Sequence, residues 1–148
     1  MIAVIQRVIN ANVKINNSER RTINHGLVVL LGLHKNDTEK DITYLVDKII
    51  SLRIFNDKNN KMNYSLLDVN GSVLIISQFT LCGDIYKSRR PSFLNAAHPK
   101  KAMVLYNDFV KLFKQKSVDV KTGEFGAHMD VTIVNNGPVT FVIDSNNL

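Results

Sequence analysis

The stretch Val73-Leu74-Ile75-Ile76-Ser77-Gln78-Phe79-Thr80-Leu81 changes character in the middle, from apolar to polar. Residues 73–76 are apolar without alternation, which is typical of a strand that is buried on both faces. Ser77, Gln78 and Thr80 then stand where apolar residues would continue the strand. Polar side chains in that position need hydrogen-bond partners, so they either bond to neighbouring backbone or line a cavity that binds a ligand.

The dipeptide Asn70-Gly71 lies just before this strand and is a strong short-range signal for a β-hairpin. Because strand-like runs over 62–69 and 72–81 flank it, the sequence predicts that 75–80 pairs in an antiparallel hairpin. Further strands are predicted at 2–10, 11–16, 26–33, 118–121, 129–134 and 139–143, with a break near Asn10.

Two helices are predicted from the spacing of apolar residues. Thr38 with Asp41 resembles a capping box at the start of the first helix, and Pro99 suits the first turn of the second. The inward residues are Ile42, Leu45, Val46, Ile49 and Ile50 in the first helix, and Ala102, Leu105, Phe109, Leu112 and Phe113 in the second. The pattern predicts the α+β class, with a mostly antiparallel, barrel-like sheet core and two packed helices.

Length and composition predict one globular domain over 1–148. The chain has 148 residues with 45% hydrophobic residues, 7 Gly and 3 Pro, and no linker-like segment or repeat divides it. Its apolar runs are too short to cross a bilayer, and the first residues lack the pattern of a signal peptide. The single cysteine, Cys82, excludes an internal disulfide. We therefore expect a cytoplasmic protein.

Positive charge is concentrated in one segment of the chain. The net charge is +6, and residues 87–121 hold nine Lys or Arg against Asp108 and Asp119, which gives 9 − 2 = +7 for that segment alone. Such an excess either attracts a phosphate backbone or forms a solvated helix face that keeps the protein soluble. Charge alone does not decide between these two readings. The lysines predicted to face outward from the second helix are Lys100, Lys101, Lys111, Lys114 and Lys116.

Common catalytic motifs are absent from the sequence. It has no Gly-x-Ser-x-Gly elbow, no Gly-rich phosphate loop, no His-Glu-x-x-His and no pair of cysteines. The four histidines, at 25, 34, 98 and 128, show no metal-ligand spacing and are more often turn or core residues than catalysts. Cys82 is expected to be a small packing residue, because no nearby pattern lowers the pKa of its thiol.

Two stretches together carry a family resemblance: Ser77-Gln78-Phe79-Thr80-Leu81 and Asn135-Asn136-Gly137-Pro138-Val139-Thr140. They resemble the paired motifs of the D-aminoacyl-tRNA deacylases, Ser-Gln-Phe-Thr-Leu and Asn-x-Gly-Pro-x-Thr. Stretches at 5–8, 90–93 and 121–129 extend the resemblance over nearly the whole chain. Without the family, Asn-Gly-Pro reads as an ordinary turn between two strands.

The resemblance implies a homodimeric esterase that removes D-amino acids from the 3′ end of mischarged tRNA, without cofactor or metal. It places the catalytic site at Ser77, Gln78, Phe79 and Thr80. It further implies that Gly137-Pro138 is a cis dipeptide inserted into the active site of the partner subunit. In that position it would exclude L side chains but not glycine, while Arg7 braces the loop. Asn135 and Thr140 complete the second motif.

The chemistry at Thr80 has two readings. Either its hydroxyl attacks the ester carbonyl, which requires a base to activate it, or Thr80 and Ser77 only fix the backbone. In the second reading, which we favour, backbone amides at 79–80 form an oxyanion hole and the ribose 2′-hydroxyl positions water.

The residues expected to contact the substrate each have two readings. Phe125 and Met129, with Phe79, are expected either to line the slot of the terminal adenine or to belong to the core. Lys87, Arg89 and Arg90 are expected to contact the tRNA backbone, or else to lie in a solvated loop. Neither a membrane nor DNA is expected as a partner. The alternatives are a non-catalytic RNA-binding module and a dimeric interaction domain without turnover.

Overall fold

The fold is described from a computed structural model that covers residues 1–16 and 19–147. The strands are β1 (Ile2–Ile15), β2 (Glu19–Ile23), β3 (Gly26–Gly32), β4 (Phe55–Asn56), β5 (Met62–Tyr64), β6 (Ser72–Ser77), β7 (Asp119–Thr122) and β8 (Met129–Asp144). The helices are α1 (Glu39–Ser51) and α2 (Pro99–Gln115). Short 3-10 turns at Phe79–Cys82 and Ser145–Asn147 follow β6 and β8. Within the described residues, no helix is both long and apolar enough to span a bilayer.

The main sheet has the order β2-β1-β3-β6-β7, with β8 also paired to β1. Two strands share one edge of β1: β3 pairs with residues 2–8 and β2 with residues 11–15. β8 pairs along the other edge of β1. The pairings of β1 are antiparallel, and β3-β6 and β6-β7 are parallel. The predicted α+β class, with a barrel-like sheet core and two helices, is confirmed.

The predicted hairpin around Asn70-Gly71 is wrong. β6 pairs in parallel with β3, from Gly26 opposite Ser72 to Leu31 opposite Ser77, and β5 pairs with β4 instead. Residues 65–70 form a turn in which the Asp68 carboxylate accepts hydrogen bonds from the backbone and hydroxyl of Ser65. Asn70 ends that turn with φ of 48°. Asn70 therefore has the left-handed conformation that is typical of Asn-Gly turns, but the turn that it ends leads into a parallel strand.

Two predicted strand breaks are absent. β1 continues through Asn10 as one strand of 14 residues, and β8 runs for 16 residues through the Asn-Gly-Pro motif. The ladder between them steps from Gln6 opposite Thr140 to Val8 opposite Asn135, so residues 136–139 all face Arg7. We call residues 136–139 the β8 bulge. A plain turn does not form here because β1 is continuous and keeps pairing on both sides of the bulge.

Both predicted helices are confirmed, with their starts as expected. The Asp41 carboxylate accepts a hydrogen bond of 2.8 Å from the backbone N–H of Thr38, and Pro99 stands at the first residue of α2. The predicted inward residues are buried in both helices, except that Leu112 is half-buried. The start of α1 is also tied to β1, because the buried ammonium of Met1 lies 2.6 Å from Asp37.

Hydrophobic cores lie on both faces of the central strands. On one face, the helices cover Leu27 and Val29 of β3 and Val73 and Ile75 of β6. On the other face, Val28, Leu74 and Ile76 pack against residues of β1, β2 and β8. The prediction that 73–76 is a strand buried on both faces is therefore confirmed. Such a strand has room for polar side chains only where it ends.

Candidate active site

A cavity of about 700 Å³ opens where the carboxyl ends of the parallel strands meet. Its walls come from the ends of β3 and β6, the first turn of α2 with the loop before it, and the loop that joins β7 to β8. Ligands in parallel sheets bind outside the carboxyl ends of the strands, since the chain leaves the sheet there and exposes polar groups. The cavity also has the size of a small-molecule site.

The polar end of β6 forms one wall of this cavity. Ser77, Gln78 and Phe79 line it, whereas Thr80 is exposed and lies outside the lining. The backbone N–H of Gln78 donates to the carbonyl of Leu31 at 2.8 Å, which extends the parallel ladder by one bond. The side-chain amide of Gln78 donates to the hydroxyl of Thr80 at 2.6 Å. Gln78 therefore bonds to Thr80 and also lines the cavity, together with Ser77.

The 3-10 turn after Gln78 leaves two backbone donors without acceptors. In the described part of the chain, the N–H groups of Phe79 and Thr80 have no hydrogen-bond acceptor, as is usual at the start of a helical turn. The turn packs closely on β3, because a Cβ added at Gly32 would lie 2.9 Å from the Cβ of Leu81. The ring of Phe79 stacks edge-on against Phe93 at 4.9 Å between centroids. These contacts fix the 3-10 turn, whose first residue, Phe79, lines the cavity.

The opposite wall contains both residues expected to contact the terminal base. Phe125 and Met129 line the cavity and are half-buried. Phe125 packs on the ring of Tyr106 at 5.9 Å, and the hydroxyl of Tyr106 donates to the carbonyl of Ile75 at 2.8 Å. Burial raises the pKa of Tyr106, so the phenol stays protonated and keeps this bond. The wall is thereby connected to the middle of β6.

Two histidines that the sequence analysis set aside, His98 and His128, lie on the cavity wall. His98 precedes α2, and His128 is exposed beside Asp130 at 3.8 Å. The spacing of His98 and His128 along the sequence matches no catalytic or metal-binding motif. They line the same cavity because the start of α2 lies close to the β7–β8 loop. Neither ring is the partner of the Thr80 hydroxyl, since that bond comes from Gln78.

Arg21 is a further residue that the sequence analysis missed. From β2 its guanidinium donates to the carbonyl of Thr122 at 2.9 Å and to that of Gly123 at 3.3 Å. Glu19 accepts from the same guanidinium at 2.7 Å and holds it in place. Gly123 lies against the cavity wall, because a Cβ added there would lie 2.4 Å from the sulfur of Met129. Arg21 therefore determines where the β7–β8 loop leaves the sheet.

The second motif lies in the β8 bulge, away from this cavity. The Gly137–Pro138 peptide bond is cis and both residues are exposed. Val139 is buried in the core and anchors the bulge from inside. Asn135 flanks it on one side, and the hydroxyl of Thr140 accepts a hydrogen bond from Gln6 on the other.

Arg7 makes four hydrogen bonds, two of which go to the bulge. Its guanidinium donates to the backbone carbonyl of Asn136 at 3.0 Å and to the side-chain oxygen of the same residue at 3.1 Å. It also donates to the carbonyl of Ile54 at 2.5 Å and to Asn56 at 2.9 Å. Arg7 is only 6% exposed, and burial lowers the pKa of the guanidinium, which still remains charged because arginine starts so high. Arg7, which the family resemblance implies as the residue that braces this loop, is thus in contact with the bulge.

Within one chain, the two motifs do not meet. None of residues 135–140 lines the cavity. Val131 at the cavity and Gly137 in the bulge are six residues apart on the same strand, which corresponds to roughly 20 Å.

The basic residues expected to contact tRNA, Lys87, Arg89 and Arg90, are exposed. They lie in a loop that is closed by backbone bonds between Asp84 and Ser92. None of the three lines the 700 Å³ cavity.

Cys82 is buried under the 3-10 turn, and desolvation raises the pKa of its thiol to about 11. A thiol in that state is a poor nucleophile, in line with a packing role. Among residues 1–16 and 19–147, no three His, Cys, Asp or Glu side chains lie together in a way that would hold a metal ion.

The sheet, the helices and the cavity define a small α+β domain with a cavity at the carboxyl ends of its parallel strands. A sequence model of the family described as D-Tyr-tRNA(Tyr) deacylase matches residues 4–144, and the chain belongs to this family. A D-aminoacyl-tRNA deacylase of Thermosipho africanus is 56% identical over 145 residues, covering 98% of this chain and 97% of that protein. One of Clostridium botulinum is 54% identical, with the same coverage.

Solved structures agree with this assignment. A structure described as c-Myc DNA Unwinding Element Binding Protein superposes with a TM-score of 0.91 at 37% identity, covering 98% of this chain and 99% of that one. A structure described as a probable eukaryotic D-amino acid tRNA deacylase has a TM-score of 0.82 at 18% identity, covering 96% and 98%. At 18% identity, the similarity to the second structure is evidence for a shared fold alone.

Arg21→Met should weaken substrate binding more than turnover. Losing the bonds to Thr122 and Gly123 frees the β7–β8 loop, so we expect KM for aminoacyl-tRNA to rise about three- to tenfold with kcat within twofold. Steady-state kinetics with Arg21→Lys as the conservative variant checks this, because one ammonium can still reach a carbonyl and should recover part of the loss. An equal fall in kcat and kcat/KM would contradict a role in positioning the loop.

Proposed function

We propose that the protein hydrolyses the ester of D-aminoacyl-tRNA in the 700 Å³ cavity and that the β8 bulge of a second subunit selects the chirality of the substrate. Family membership supports the first part: the chain is a hydrolase of the D-aminoacyl-tRNA deacylase family, with tRNA charged at its 3′ end as substrate and a role in translational proofreading. We propose the cytoplasm as its location, where charged tRNA is used.

One observation carries the chemical part of the proposal. In the described residues, the backbone N–H groups of Phe79 and Thr80 have no acceptor, and Phe79 lines the cavity beside Ser77 and Gln78. Donors that are fixed before the reaction stabilise the negative charge that develops on a carbonyl oxygen, and one such donor is commonly worth about 3 kcal/mol. Each tenfold in rate requires about 1.4 kcal/mol. Two donors therefore account for a large acceleration.

The bonding of Thr80 favours water over a threonine nucleophile. Attack by a hydroxyl needs a base to take its proton, and the neighbour of Thr80 is the amide of Gln78, which donates and cannot accept a proton. We propose that Thr80 and Gln78 only shape the turn. Water, positioned by the ribose 2′-hydroxyl, attacks the ester carbonyl. The carbonyl carbon then releases the ribose oxygen, which takes the proton that water loses.

Chiral selection requires a wall that excludes a side chain and admits a hydrogen at Cα. Gly137-Pro138 suits this role, since the proline ring stiffens the backbone and a backbone wall cannot rotate away. Arg7 and the buried Val139 hold the bulge from behind. A wall of this kind admits glycine, because glycine has no side chain to exclude.

A second subunit is needed for this arrangement. Gly137 lies roughly 20 Å along β8 from Val131, the cavity residue of its own chain that is nearest to it on this strand, so we propose that it reaches substrate in another copy. The surface around the bulge is suited to such contact. Ile9, Val134 and Val142, on β1 and β8, are 55%, 42% and 65% exposed. Exposed apolar patches of this kind are typical of protein interfaces.

Three charged tRNAs test the steric account. The protein should hydrolyse D-tyrosyl-tRNA and glycyl-tRNA and leave L-tyrosyl-tRNA intact, with the two rates on tyrosyl esters differing at least a hundredfold. Release of labelled amino acid measures all three. Glycyl-tRNA that resists high enzyme concentrations would refute the wall, and equal cleavage of both tyrosyl esters would refute chiral selection. Tight binding of every tRNA without hydrolysis would instead indicate an RNA-binding module.

A second pair of measurements separates the two mechanisms at Thr80. Thr80→Ala should keep turnover within about tenfold of the wild type, because the backbone donors remain. D-tyrosyl-tRNA ending in 2′-deoxyadenosine should be cleaved at least a hundredfold more slowly than the normal substrate. Single-turnover rates give both values. If Thr80→Ala abolishes cleavage while the deoxy substrate is cleaved normally, Thr80 is the nucleophile.

Mixed dimers test the origin of the wall. Pro138→Ala homodimers should cleave both tyrosyl esters, and Ala97→Trp homodimers, whose cavity is filled, should cleave neither. A dimer with one subunit of each kind places an intact bulge against the one open cavity, so selectivity for the D ester should return. Co-expression with two affinity tags isolates this species. A mixed dimer as unselective as the Pro138→Ala homodimer, or a wild type that sediments as a monomer, would overturn the proposal.

A further inference from the structure

We infer that α2 carries a docking track for the phosphate backbone of the tRNA acceptor end, formed by Lys100, Lys111 and Lys114. We call these three residues the lysine stripe. The inference rests on the proposed function, because it assumes that the 3′ end of tRNA enters the 700 Å³ cavity. It adds where the rest of the nucleic acid lies.

The three lysines share one side of the helix. With 3.6 residues per turn, Lys100, Lys111 and Lys114 fall within about 60° of one another around the axis of α2. All three are exposed, while the opposite side of α2 is buried against the sheet. Val104 and Met103 between them are 60% and 46% exposed, so the stripe also offers apolar contact for sugar rings.

The positive charge of the stripe is not neutralised by the protein. Among the described residues, no carboxylate lies within 4 Å of these three ammonium groups, whereas the nearby Lys116 pairs with Asp47 at 2.8 Å. Lys101, which points to another side of α2, donates to the carbonyl of Lys35. Unpaired cations in one row bind a polyanion better than scattered ones, since each phosphate that they neutralise releases counterions.

The stripe also begins at the cavity. His98, Pro99 and Ala102 line the cavity, and Lys100 lies between them on the outer side of the same turn. From Lys100 to Lys114 the helix rises about 21 Å. That length is enough to face several phosphates of a nucleic-acid strand, with Lys100 at the cavity end and Lys111 and Lys114 at the far end. A 3′ end seated in the cavity can therefore continue along α2.

Neutralising the stripe tests this inference. The triple variant Lys100→Gln, Lys111→Gln and Lys114→Gln keeps helix propensity, because Gln and Lys are similar formers. We expect kcat/KM on D-tyrosyl-tRNA to fall about tenfold at moderate salt with kcat unchanged. The plot of log(kcat/KM) against log[salt] should be shallower by about 2 to 3, since three phosphate contacts are lost. Hydrolysis of D-tyrosyl-adenosine, which has no phosphate, should not change.

A matched control removes the same charge elsewhere. Lys40, Lys48 and Lys58 are exposed and lie outside α2, and their triple change to Gln should leave tRNA kinetics and the salt slope unaltered. Equal losses in the two triple variants would show a general charge effect and overturn the stripe. An unchanged salt slope in the stripe variant, or an equal loss on D-tyrosyl-adenosine, would overturn it as well.

Binding of uncharged full-length tRNA, measured by filter retention, tests independently of catalysis whether the lysine stripe contacts the tRNA backbone. A stripe variant that binds about tenfold more weakly than the control variant supports the track, and equal binding refutes it. If the wild type hydrolyses none of the esters, the proposed function fails, but this comparison still decides whether α2 binds the tRNA backbone.

Discussion

The parallel pairing of β6 between β3 and β7 is the constraint on which the site depends. Apolar residues cover both faces of β6, so the polar residues of this segment can be accommodated only past its end. Parallel neighbours end on the same side, and α2 begins there. The cavity therefore forms where the buried strand becomes polar, with Phe79 of the 3-10 turn in its wall.

Arg7 holds the second structural feature, the β8 bulge, in place. A buried guanidinium needs acceptors for its donors, and Arg7 finds them on the β8 bulge and next to β4. Four residues of β8 are thereby held opposite a single residue of β1. The protein thus presents two rigid features, a cavity and a bulge, at positions that one chain cannot bring together. This separation is the physical basis for proposing a subunit interface in catalysis.

Recognition divides between shape and charge. The cavity is mostly apolar, with a few polar groups from one strand end, and suits discrimination by contact at close range. The lysine stripe of α2 and the basic loop that holds Lys87, Arg89 and Arg90 lie outside it. Charge on the outside attracts any phosphate backbone, whereas fixed walls inside distinguish one ester from its mirror image. The two tasks therefore belong to different elements, and substitutions can change one without the other.

The sequence by itself determined the features that depend on neighbours along the chain. The start of each helix, their apolar sides and the doubly buried strand were all predictable, because capping, helical spacing and continuous apolar runs are local. The paired motifs of β6 and β8 were also readable, since they identify the family.

Only the tertiary structure decided the rest. Asn70-Gly71 has the composition of a hairpin, yet β6 pairs in parallel with β3 and β7, with its faces packed on the helices and on β1, β2 and β8. The continuity of β1 and β8 arises from their mutual pairing. Arg21 bonds to Thr122, 101 residues further along the chain. His98 and His128 reach one cavity only because two separate loops meet there. Such contacts leave no periodic pattern, because the distance that matters is in space and not along the chain.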